Sequence, residues 1–392
     1  MLKRFAIRPF LLGLLSLVSV FAAVNAVYHR PLFGDNIQDS YALEAKAWHA
    51  GHSYLPMDYH WLELATYHGH IYVSFPPVPA VVDYLSLAVY PDHVPSNFIV
   101  MLYALGSYAA LYGLCRRMGT SEKDGVLWAL FTLMGSSFMT IAAFGGVWFL
   151  AQLLCLLLTA LSLYCMKGKT PFSWGLGLFF LALAAGCRPF QLLYLPLYLL
   201  LLFRNMDWKW SVARLIPYAI APAVVLAILG WYNWLRFGNP AEFGHNYLPE
   251  FLPSNNPQFS LKYVPSNFFS HLLFIPVSLR PPHMWVPAHN GFLFFAANPL
   301  FVAFAARLKG FKKLDPAVKI IFGLSLFNLL LILSHDTMGG LQFGSRYTAD
   351  LLPFILFAIL TVRLKLNRLD RWLAGFGIAL NLYGAVVLMG WL

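Results

Sequence analysis

The sequence predicts an all-α polytopic membrane protein, and three observations support this class. Hydrophobic residues make up 59% of the 392 residues and charged residues only 11%, whereas soluble domains carry about 25% charged residues. Apolar runs recur along the whole chain, and about 20 such residues cross a bilayer as a helix. Basic residues are concentrated in alternate loops. We therefore expect one transmembrane domain over residues 1–392.

Eleven apolar runs, bounded by charges, Pro or Gly, are predicted as transmembrane helices of variable length and tilt. They cover residues 9–28, 97–115, 125–143, 147–166, 173–187, 190–203, 215–235, 291–306, 317–334, 350–362 and 372–391. The first run follows Lys3, Arg4 and Arg8, as a secretory signal would. Its apolar core is longer than that of a typical signal, so we expect an uncleaved anchor.

The basic residues give the orientation of these spans. With a cytoplasmic N-terminus, 20 of the 27 Lys and Arg fall on the cytoplasmic side, as the positive-inside rule requires. All 12 His and 11 of the 16 acids fall on the outer side, mainly in segments 29–96, 236–290 and 335–349. Because topology accounts for the net charge of +11, nucleic acid is disfavoured as a partner. Polar outer loops on a helical scaffold predict that the active site faces outward.

Cysteine and histidine spacing gives no sign of a structural metal. The four cysteines all fall within spans and are interpreted as small packing residues: Cys115, Cys155, Cys165 and Cys187. His68 and His70 flank a glycine in a predicted turn, but two ligands without a third make a weak metal site. Zinc-type Cys spacing and a phosphate-binding Gly-rich loop are both missing from the sequence.

The stretch GDNIQDSYALEAKAWHAGHSY (34–54) follows the first span. Its apolar side chains recur every three or four residues and predict an amphipathic helix over 37–50 at the membrane surface: Ile37, Tyr41, Ala45 and Trp48. Asp35 lies where an N-cap would, and Gln38 completes a capping-box pattern. Asp39 follows one turn later on the same face. The two acids either cap a surface helix or provide a general base.

The second half of this outer segment reads HGHIYVSFPPVPAVVDYL (68–85). Pro76, Pro77 and Pro79 fix the backbone at the entry to a further interfacial helix. The order of anchor, acidic helix and Tyr-x-x-x-Pro-Pro stretch resembles the polyprenyl-phosphate-sugar-dependent glycosyltransferases of the GT-C superfamily. The likeness is nearest to the branch of protein O-mannosyltransferases and lipid A aminoarabinose transferases.

The resemblance covers most of the chain with motifs of low individual specificity. AAGCRPFQLLYLPLYLL (184–200), the region 270–301 and GSRYTADLLPF (344–354) are similar to later elements of that family. Asp35 matches its acidic position, but the second acid that often follows is Asn36 here. This departure weakens any metal pair and leaves Asp39 as the nearest second carboxylate.

The family likeness implies a function and its partners. It implies an integral-membrane enzyme that transfers a sugar, with inversion, from a polyprenyl-phosphate donor to an acceptor hydroxyl on the outer face. The short loops, without a large outer insert, favour a bacterial inner membrane. Asp35 would be the base, with Asp39 as a second candidate. The acceptor class stays open among lipid, glycan and protein. No cofactor is certain from the sequence, and a divalent cation is possible but not favoured.

Two arginines are unusual on the residues alone. Arg188 separates two apolar runs of about 15 and 14 residues whose far flanks, Lys169 and Arg204, are basic, so it lies at the outer tip of a hairpin. Helices shorter than about 20 residues place this tip below the membrane surface, where arginine is a functional candidate. Arg346 precedes the short run 350–362 in the same way. Snorkelling is the alternative, but two guanidinium groups suit a lipid-linked phosphate.

Further residues are candidates for lining the cavity around this site. They are Tyr41, His70, Tyr72, Trp148, Gln152 and Tyr347. For Trp148, anchoring at the membrane interface is an alternative. Asp336 and Asp350 flank Arg346 and could simply pair with it.

Two other functional classes stay open from the sequence. A transporter or lipid flippase predicts repeated halves and polar groups near the midplane, neither of which the sequence displays. A glycan ligase that uses a diphosphate lipid carrier predicts a requirement for a divalent cation.

Overall fold

The computed structural model describes residues 7–251, 257–273, 277–280, 284–287, 294–308, 313–339 and 342–389. The chain is mostly helical, at 69%. Four basic residues of the predicted charge map lie outside the described ranges: Lys3, Arg4, Lys309 and Lys312. The same holds for the first residues of the predicted span 291–306 and the last of 372–391.

Within these ranges the α-helices follow one another in the order below. They are α1 (Ile7–Val27), α2 (Ser40–His49), α3 (Val78–Ser86), α4 (Ser96–Arg117), α5 (Glu122–Met134), α6 (Phe138–Ala143), α7 (Val147–Met166), α8 (Pro171–Ala185), α9 (Leu195–Asn205), α10 (Val212–Phe237), α11 (Val264–Asn267), α12 (Phe294–Ala297), α13 (Pro299–Arg307), α14 (Pro316–Leu333), α15 (Leu352–Val362) and α16 (Arg368–Met389). Short 3-10 turns lie at Pro189–Tyr194, His245–Tyr247, Leu261–Tyr263 and Tyr347–Leu351, and a π-helical turn at Phe268–Leu273.

Two short hairpins, which the sequence reasoning did not predict, interrupt the helical architecture. Strands β1 (Leu64–Tyr67) and β2 (His70–Val73) pair antiparallel, with Leu64 opposite Val73. Their two-residue turn, His68–Gly69, has positive φ at both positions, which matches the twist of paired strands. Strands β3 (Val277–Arg280) and β4 (Met284–Pro287) form the second hairpin.

Six described helices are long and apolar enough to cross a membrane: α1, α4, α7, α10, α14 and α16. Residues Pro171–Ala185 and Tyr347–Val362 form shorter apolar helical segments. The prediction of a helical membrane protein is confirmed, but eleven full-length spans are not.

The predicted span 125–143 shows why some spans are interrupted. It breaks between α5 and α6, where the Ser137 backbone N–H donates to Asn298 Oδ1 (3.2 Å) and Phe138 N–H to Ser136 Oγ (3.2 Å). Serine and asparagine side chains compete in this way with helical hydrogen bonds.

Helix α7 lies at the centre of the bundle and α10 at its edge. In their most apolar windows, 83% of α7 residues are buried but only 6% of α10 residues. Helix α10 is held through its last turn, where Tyr232 Oη donates to Glu44 Oε1 (2.8 Å) and Arg236 Nη1 lies 3.3 Å from the same oxygen. Pairing and hydrogen bonding make a buried charge tolerable here.

Helix α2 begins three residues later than predicted, and Asp39, not Asp35, is its N-cap. Asp39 Oδ1 accepts from the backbone N–H groups of Tyr41 (3.1 Å) and Ala42 (3.2 Å), and Oδ2 accepts from Ser96 Oγ (2.7 Å). The helix is largely buried within the protein, with Tyr41 only 1% exposed, so it is covered on more sides than the single apolar stripe predicted; its location at the membrane surface stays a prediction. Helix α3 and strand β2 pack against this short helix, and Tyr232 and Arg236 of α10, distant in sequence, bind Glu44.

Other local predictions agree with the structure. Helix α3 begins directly after Pro77, as the proline-rich entry predicted. The four cysteines are all buried, in keeping with a packing role.

Candidate active site

A cavity of about 420 Å³ lies where the start of α7 meets the ends of α8 and α14. We call it the site cavity. It is lined by Tyr41, Glu63, Ser74, Phe75, Pro76, Trp148, Ala151, Cys187, Arg188, Pro189, Phe190, Ala241, Glu242, Phe243, His245, Asn246, Gln258, Phe259, Ile332, His335, Thr337, Tyr347 and Asp350. Aromatic and apolar walls with a few polar groups are typical of small-molecule sites.

Arg188 lies in this wall because the chain turns sharply between α8 and the 3-10 turn Pro189–Tyr194. Its backbone is extended at the start of that turn, and its Nε donates to Asp350 Oδ2 at 2.8 Å. Gln152 Nε2 approaches the other Asp350 oxygen at 3.4 Å. Asp350 therefore pairs with Arg188, not with Arg346, which the sequence left open. This pairing fixes the guanidinium group at the cavity wall.

Arg346 lies behind the wall and is 5% exposed. Its guanidinium carbon is 4.8 Å from the Trp148 ring centroid and 4.9 Å from that of Tyr347, and both rings line the cavity. No carboxylate of the described chain forms an ion pair with it. Aromatic faces attract the cation through their quadrupoles. Arg346 thus contributes positive charge to the site cavity from behind its aromatic wall.

Three carboxylates line the site cavity, and Glu63 differs from the other two. Asp350 is held at both oxygens, as described, and Glu242 accepts from Gly244 N–H (2.7 Å) and Asn246 Nδ2 (2.6 Å). Glu63 accepts from Trp148 Nε1 at 3.0 Å through Oε2. Among the described residues, no hydrogen-bond donor reaches its Oε1. Glu63 is the wall carboxylate best placed to accept a proton.

The environment of Glu63 favours its protonated form. Burial is the largest cause that raises its pKa, and the nearby charge of Glu250 adds to this. The positive charge of Arg346 and the hydrogen bond from Trp148 act in the opposite direction. A raised carboxylate pKa in a cleft is a frequent property of functional sites.

Two histidines contribute neutral donors and acceptors to the wall. The rings of His245 and His335 lie 5.9 Å apart, and His335 Nε2 is 3.1 Å from Gln258 Nε2. Burial lowers the pKa of His245 to about 4, helped by the charges of His335 and Arg188. Burial also lowers the pKa of His335. Neutral imidazole offers one donor and one acceptor, a combination that suits a hydroxyl-rich ligand.

The predicted site residues divide into three groups by position. Those in the cavity wall are Tyr41, Trp148, Arg188 and Tyr347. Gln152 and Arg346 lie directly behind it, where Gln152 Nε2 donates to the Arg346 carbonyl at 3.0 Å. The remaining predicted residues are not in the wall: Asp35, Asp39, His70 and Tyr72.

The residues outside the wall have identifiable surroundings. His70 and Tyr72 belong to β2, where they pack near Tyr54 and Phe237 respectively. Asp39 uses both oxygens to cap α2 and to bind Ser96, and burial raises its pKa to about 6. Asp35 is exposed in the loop before α2.

The loop that carries Asp35 is nevertheless hydrogen-bonded to the first residue of α7. The Val147 backbone N–H donates to the Gln38 carbonyl at 3.0 Å, and Trp61 Nε1 donates to the Ile37 carbonyl at 3.1 Å. Trp148, the next residue of α7, lines the site cavity. Asp35 is therefore only a few residues from a segment fixed beside the site.

Sequence reasoning missed Glu63, His245 and His335 as members of the site. Glu63 lies in a stretch without a motif, within the predicted outer segment 29–96, and its partner Trp148 is 85 residues away. The sequence showed Asp350 only as a neighbour of Arg346, because its partner in the structure, Arg188, is 162 residues away. One signal for His245 and His335 was present in the sequence: all 12 His fall on the predicted outer side.

The described residues contain no group of three or more His, Cys, Asp or Glu that could hold a metal ion. Comparisons with models of known protein families and with curated proteins gave no match for this chain. The resemblance to the GT-C glycosyltransferases stays a prediction from the motifs quoted above.

Proposed function

We propose that this chain is an integral-membrane glycosyltransferase that moves a sugar from a polyprenyl-phosphate donor to an acceptor hydroxyl. One observation carries this proposal: a single cavity at the end of the helix bundle joins Arg188, Glu63 and two neutral histidines within aromatic walls. Transfer from a lipid-linked sugar phosphate needs a cation for the phosphate, a base for the acceptor hydroxyl, and groups that bind hydroxyls.

Arg188 is the proposed phosphate ligand. Its described ion pair with Asp350 occupies Nε, and a guanidinium group has further N–H donors in a fixed plane. These donors suit the oxygens of a phosphate. Arg346, behind Trp148 and Tyr347, adds positive charge without a competing carboxylate. Preorganised positive charge stabilises the negative charge that grows on the leaving phosphate.

Glu63 is the proposed base on structural grounds. It would take the proton of the acceptor hydroxyl while that oxygen bonds to the anomeric carbon. The bond from the anomeric carbon to the phosphate oxygen breaks, and its electron pair leaves with polyprenyl phosphate, giving inversion. A raised pKa makes a carboxylate a stronger base nearer neutral pH. Asp35, the candidate from family resemblance, is the competing assignment.

The test compares Glu63→Gln with Asp35→Asn in the purified protein, supplied with synthetic polyprenyl-phosphate sugars. Released polyprenyl phosphate and transferred sugar are both measured. We expect Glu63→Gln to lower turnover at least about 100-fold and Asp35→Asn to retain most of it. Asp58→Asn, an exposed acid of the same segment, is the matched control and should behave like the wild type.

Each other outcome has a definite meaning. Loss in Asp35→Asn alone would transfer the role of base to Asp35 and keep the enzymatic proposal. Wild-type turnover in both variants would reject a carboxylate base from this set. Uptake of labelled donor into vesicles without any sugar transfer would replace the glycosyltransferase by a transporter, and dependence on a diphosphate carrier would favour a ligase.

A further inference from the structure

A second cavity, of about 400 Å³, is lined mainly by polar and charged side chains. We call it the basic cavity. Its lining consists of Arg117, Met118, Lys167, Leu201, Arg204, Asp315, Ala317, Phe357, Thr361 and Arg363. None of these residues lines the site cavity.

The two cavities lie at opposite ends of shared helices. Helix α7 begins beside the site cavity with Trp148 and ends at Met166, directly before Lys167. The segment containing α15 runs from Asp350 at the site cavity to Arg363 at the basic cavity. A helix of 20 residues, such as α7, is about 30 Å long. The basic cavity is therefore a separate site, at the other end of the apolar bundle.

Positive charge at the basic cavity is compensated only in part. Arg204 Nη1 contacts both oxygens of Asp315, at 2.9 and 3.1 Å. Arg117 Nη1 donates to the Tyr164 carbonyl at 2.7 Å. Within the described ranges, Lys167 and Arg363 form neither an ion pair nor a side-chain hydrogen bond. All 16 Asp and Glu of the sequence lie in those ranges, so every side-chain carboxylate of the chain belongs to the described structure.

The cations also act on one another. Burial is the largest cause that lowers the pKa of Lys167, and the charges of Arg204 and Arg363 lower it further against the opposing effect of Asp315. Cations do favour the C-terminal ends of helices, and α4, α7, α9 and α15 all end here. That effect explains Arg117, which binds the Tyr164 carbonyl, but it provides no ligand for Lys167 or Arg363.

We propose that the basic cavity binds the phosphate group of an anionic membrane lipid. The phosphate would lie between Lys167 and Arg363, while Arg117 and Arg204 complete the positive rim. Buried Leu201, Ala317 and Phe357 give the cavity an apolar side that suits the glycerol and upper acyl chain. Basic pockets between transmembrane helices bind such headgroups. This proposal does not depend on the glycosyltransferase proposal.

The location and the size of the cavity favour a lipid over a soluble anion. It lies at the ends of apolar helices long enough to span a bilayer, where headgroup phosphates are concentrated. Its volume of about 400 Å³ falls within the range of about 300–1,000 Å³ for small-molecule sites. A bare phosphate ion would leave much of that space unfilled.

The test uses the full-length protein in a neutral detergent, titrated with three probes. They are a short-chain phosphatidylglycerol, a phosphatidylcholine with the same chains, and inorganic phosphate. We expect phosphatidylglycerol alone to raise the thermal unfolding midpoint, because a ligand that binds only the folded state stabilises it. Native mass spectrometry should show retained phosphatidylglycerol.

Two charge-matched double variants show whether the location matters. Lys167→Gln with Arg363→Gln should weaken the apparent affinity for phosphatidylglycerol at least about tenfold. Lys123→Gln with Lys365→Gln removes the same charge from exposed positions outside the cavity and should keep wild-type affinity. If the first double variant does not unfold cooperatively, the two single variants replace it, each with a smaller loss.

Three results would overturn the proposal. An equal shift with phosphatidylcholine would remove the requirement for negative charge. An equal shift with inorganic phosphate would make the site one for a soluble anion instead of a lipid. Equal loss of affinity in the Lys123 and Lys365 control would assign binding to general surface charge.

Discussion

The site cavity and the basic cavity have similar volumes, about 420 and 400 Å³, but their positively charged side chains have different partners. In the site cavity, Arg188 is fixed by Asp350, and Arg346 is enclosed by aromatic rings. In the basic cavity, Lys167 and Arg363 lack carboxylate partners. Arg188, paired with a carboxylate, and Arg346, held between aromatic faces, keep a fixed geometry, as chemistry requires. Uncompensated cations at the end of a bundle are instead suited to an anion from outside the chain.

The buried carboxylates beside the site cavity show a similar division. Asp39 uses both oxygens to cap α2 and to bind Ser96, and Glu44 uses Oε1 to hold α10 while its Oε2 is buried without a hydrogen-bond partner. Glu63 also has an oxygen without a donor in the described structure, but Glu63 lies in the wall of the site cavity. Asp39 and Glu44, which do not line the cavity, support the fold, whereas the free oxygen of Glu63 in the cavity wall is available to a substrate.

The largest effect on stability is expected for the Glu44–Arg236 pair. Arg236→Met leaves Glu44, whose side chain is 3% exposed, without its partner, and should lower the free energy of unfolding by about 3–5 kcal/mol. The double variant Glu44→Gln, Arg236→Met should recover part of this loss. Thermal unfolding in detergent measures both. A double variant no more stable than the single one would show that Arg236 acts through packing.

A large effect on activity is expected for Arg188. Arg188→Gln removes the charge next to the proposed phosphate and should lower turnover by about 10²–10³-fold. Sugar transfer is measured together with the unfolding midpoint, so that loss of folding is recognised. Arg368→Gln, exposed and outside both cavities, is the control. Equal turnover in Arg188→Gln and the wild type would remove the proposed chemical difference between the two cavities.

A moderate, pH-dependent effect is expected for Asp39. Its pKa in the folded protein, about 6, exceeds the usual value of about 3.9 for an unfolded chain. Protonated Asp39 therefore stabilises the folded protein. This stabilisation is fully present below about pH 4 and is lost as the pH rises through about 6. Asp39→Asn should remove this part of the pH dependence of unfolding. Relative to Asp39→Asn, Asp39→Ala should cost about 0.5–2 kcal/mol more, through loss of the cap. An unchanged pH profile in Asp39→Asn would contradict this role.

The smallest effect is the response to salt. Raising ionic strength from about 0.05 to about 0.5 M should weaken phosphatidylglycerol binding several-fold, because the cations of the basic cavity are half-buried or exposed and salt screens them. The buried contacts that hold Arg188 should respond less, so the Michaelis constant for the lipid-linked donor should change less than the lipid affinity. Parallel titrations measure both. Equal salt dependence at the two sites would contradict the contrast between compensated and uncompensated charge.

The sequence by itself determined the class of the protein and most of its long helices. Runs of apolar residues placed α1, α4, α7 and α14 within about two residues of their observed bounds, because helix formation in an apolar run depends on nearby residues. The short helices around Arg188 were also evident, since charges and prolines interrupt the chain there. These features depend on local composition, which one sequence displays directly.

Only the tertiary structure decided the partners of the polar groups. Asp39 replaced Asp35 as the N-cap because Ser96, 57 residues away, binds its second oxygen. Asp350 pairs with Arg188, 162 residues away. Glu63 is held at the site by Trp148, 85 residues away. Periodicity predicts which side of a helix is buried, but not which other helix covers it. The pairing of buried charges depends on that packing, and so does the chemistry of each cavity.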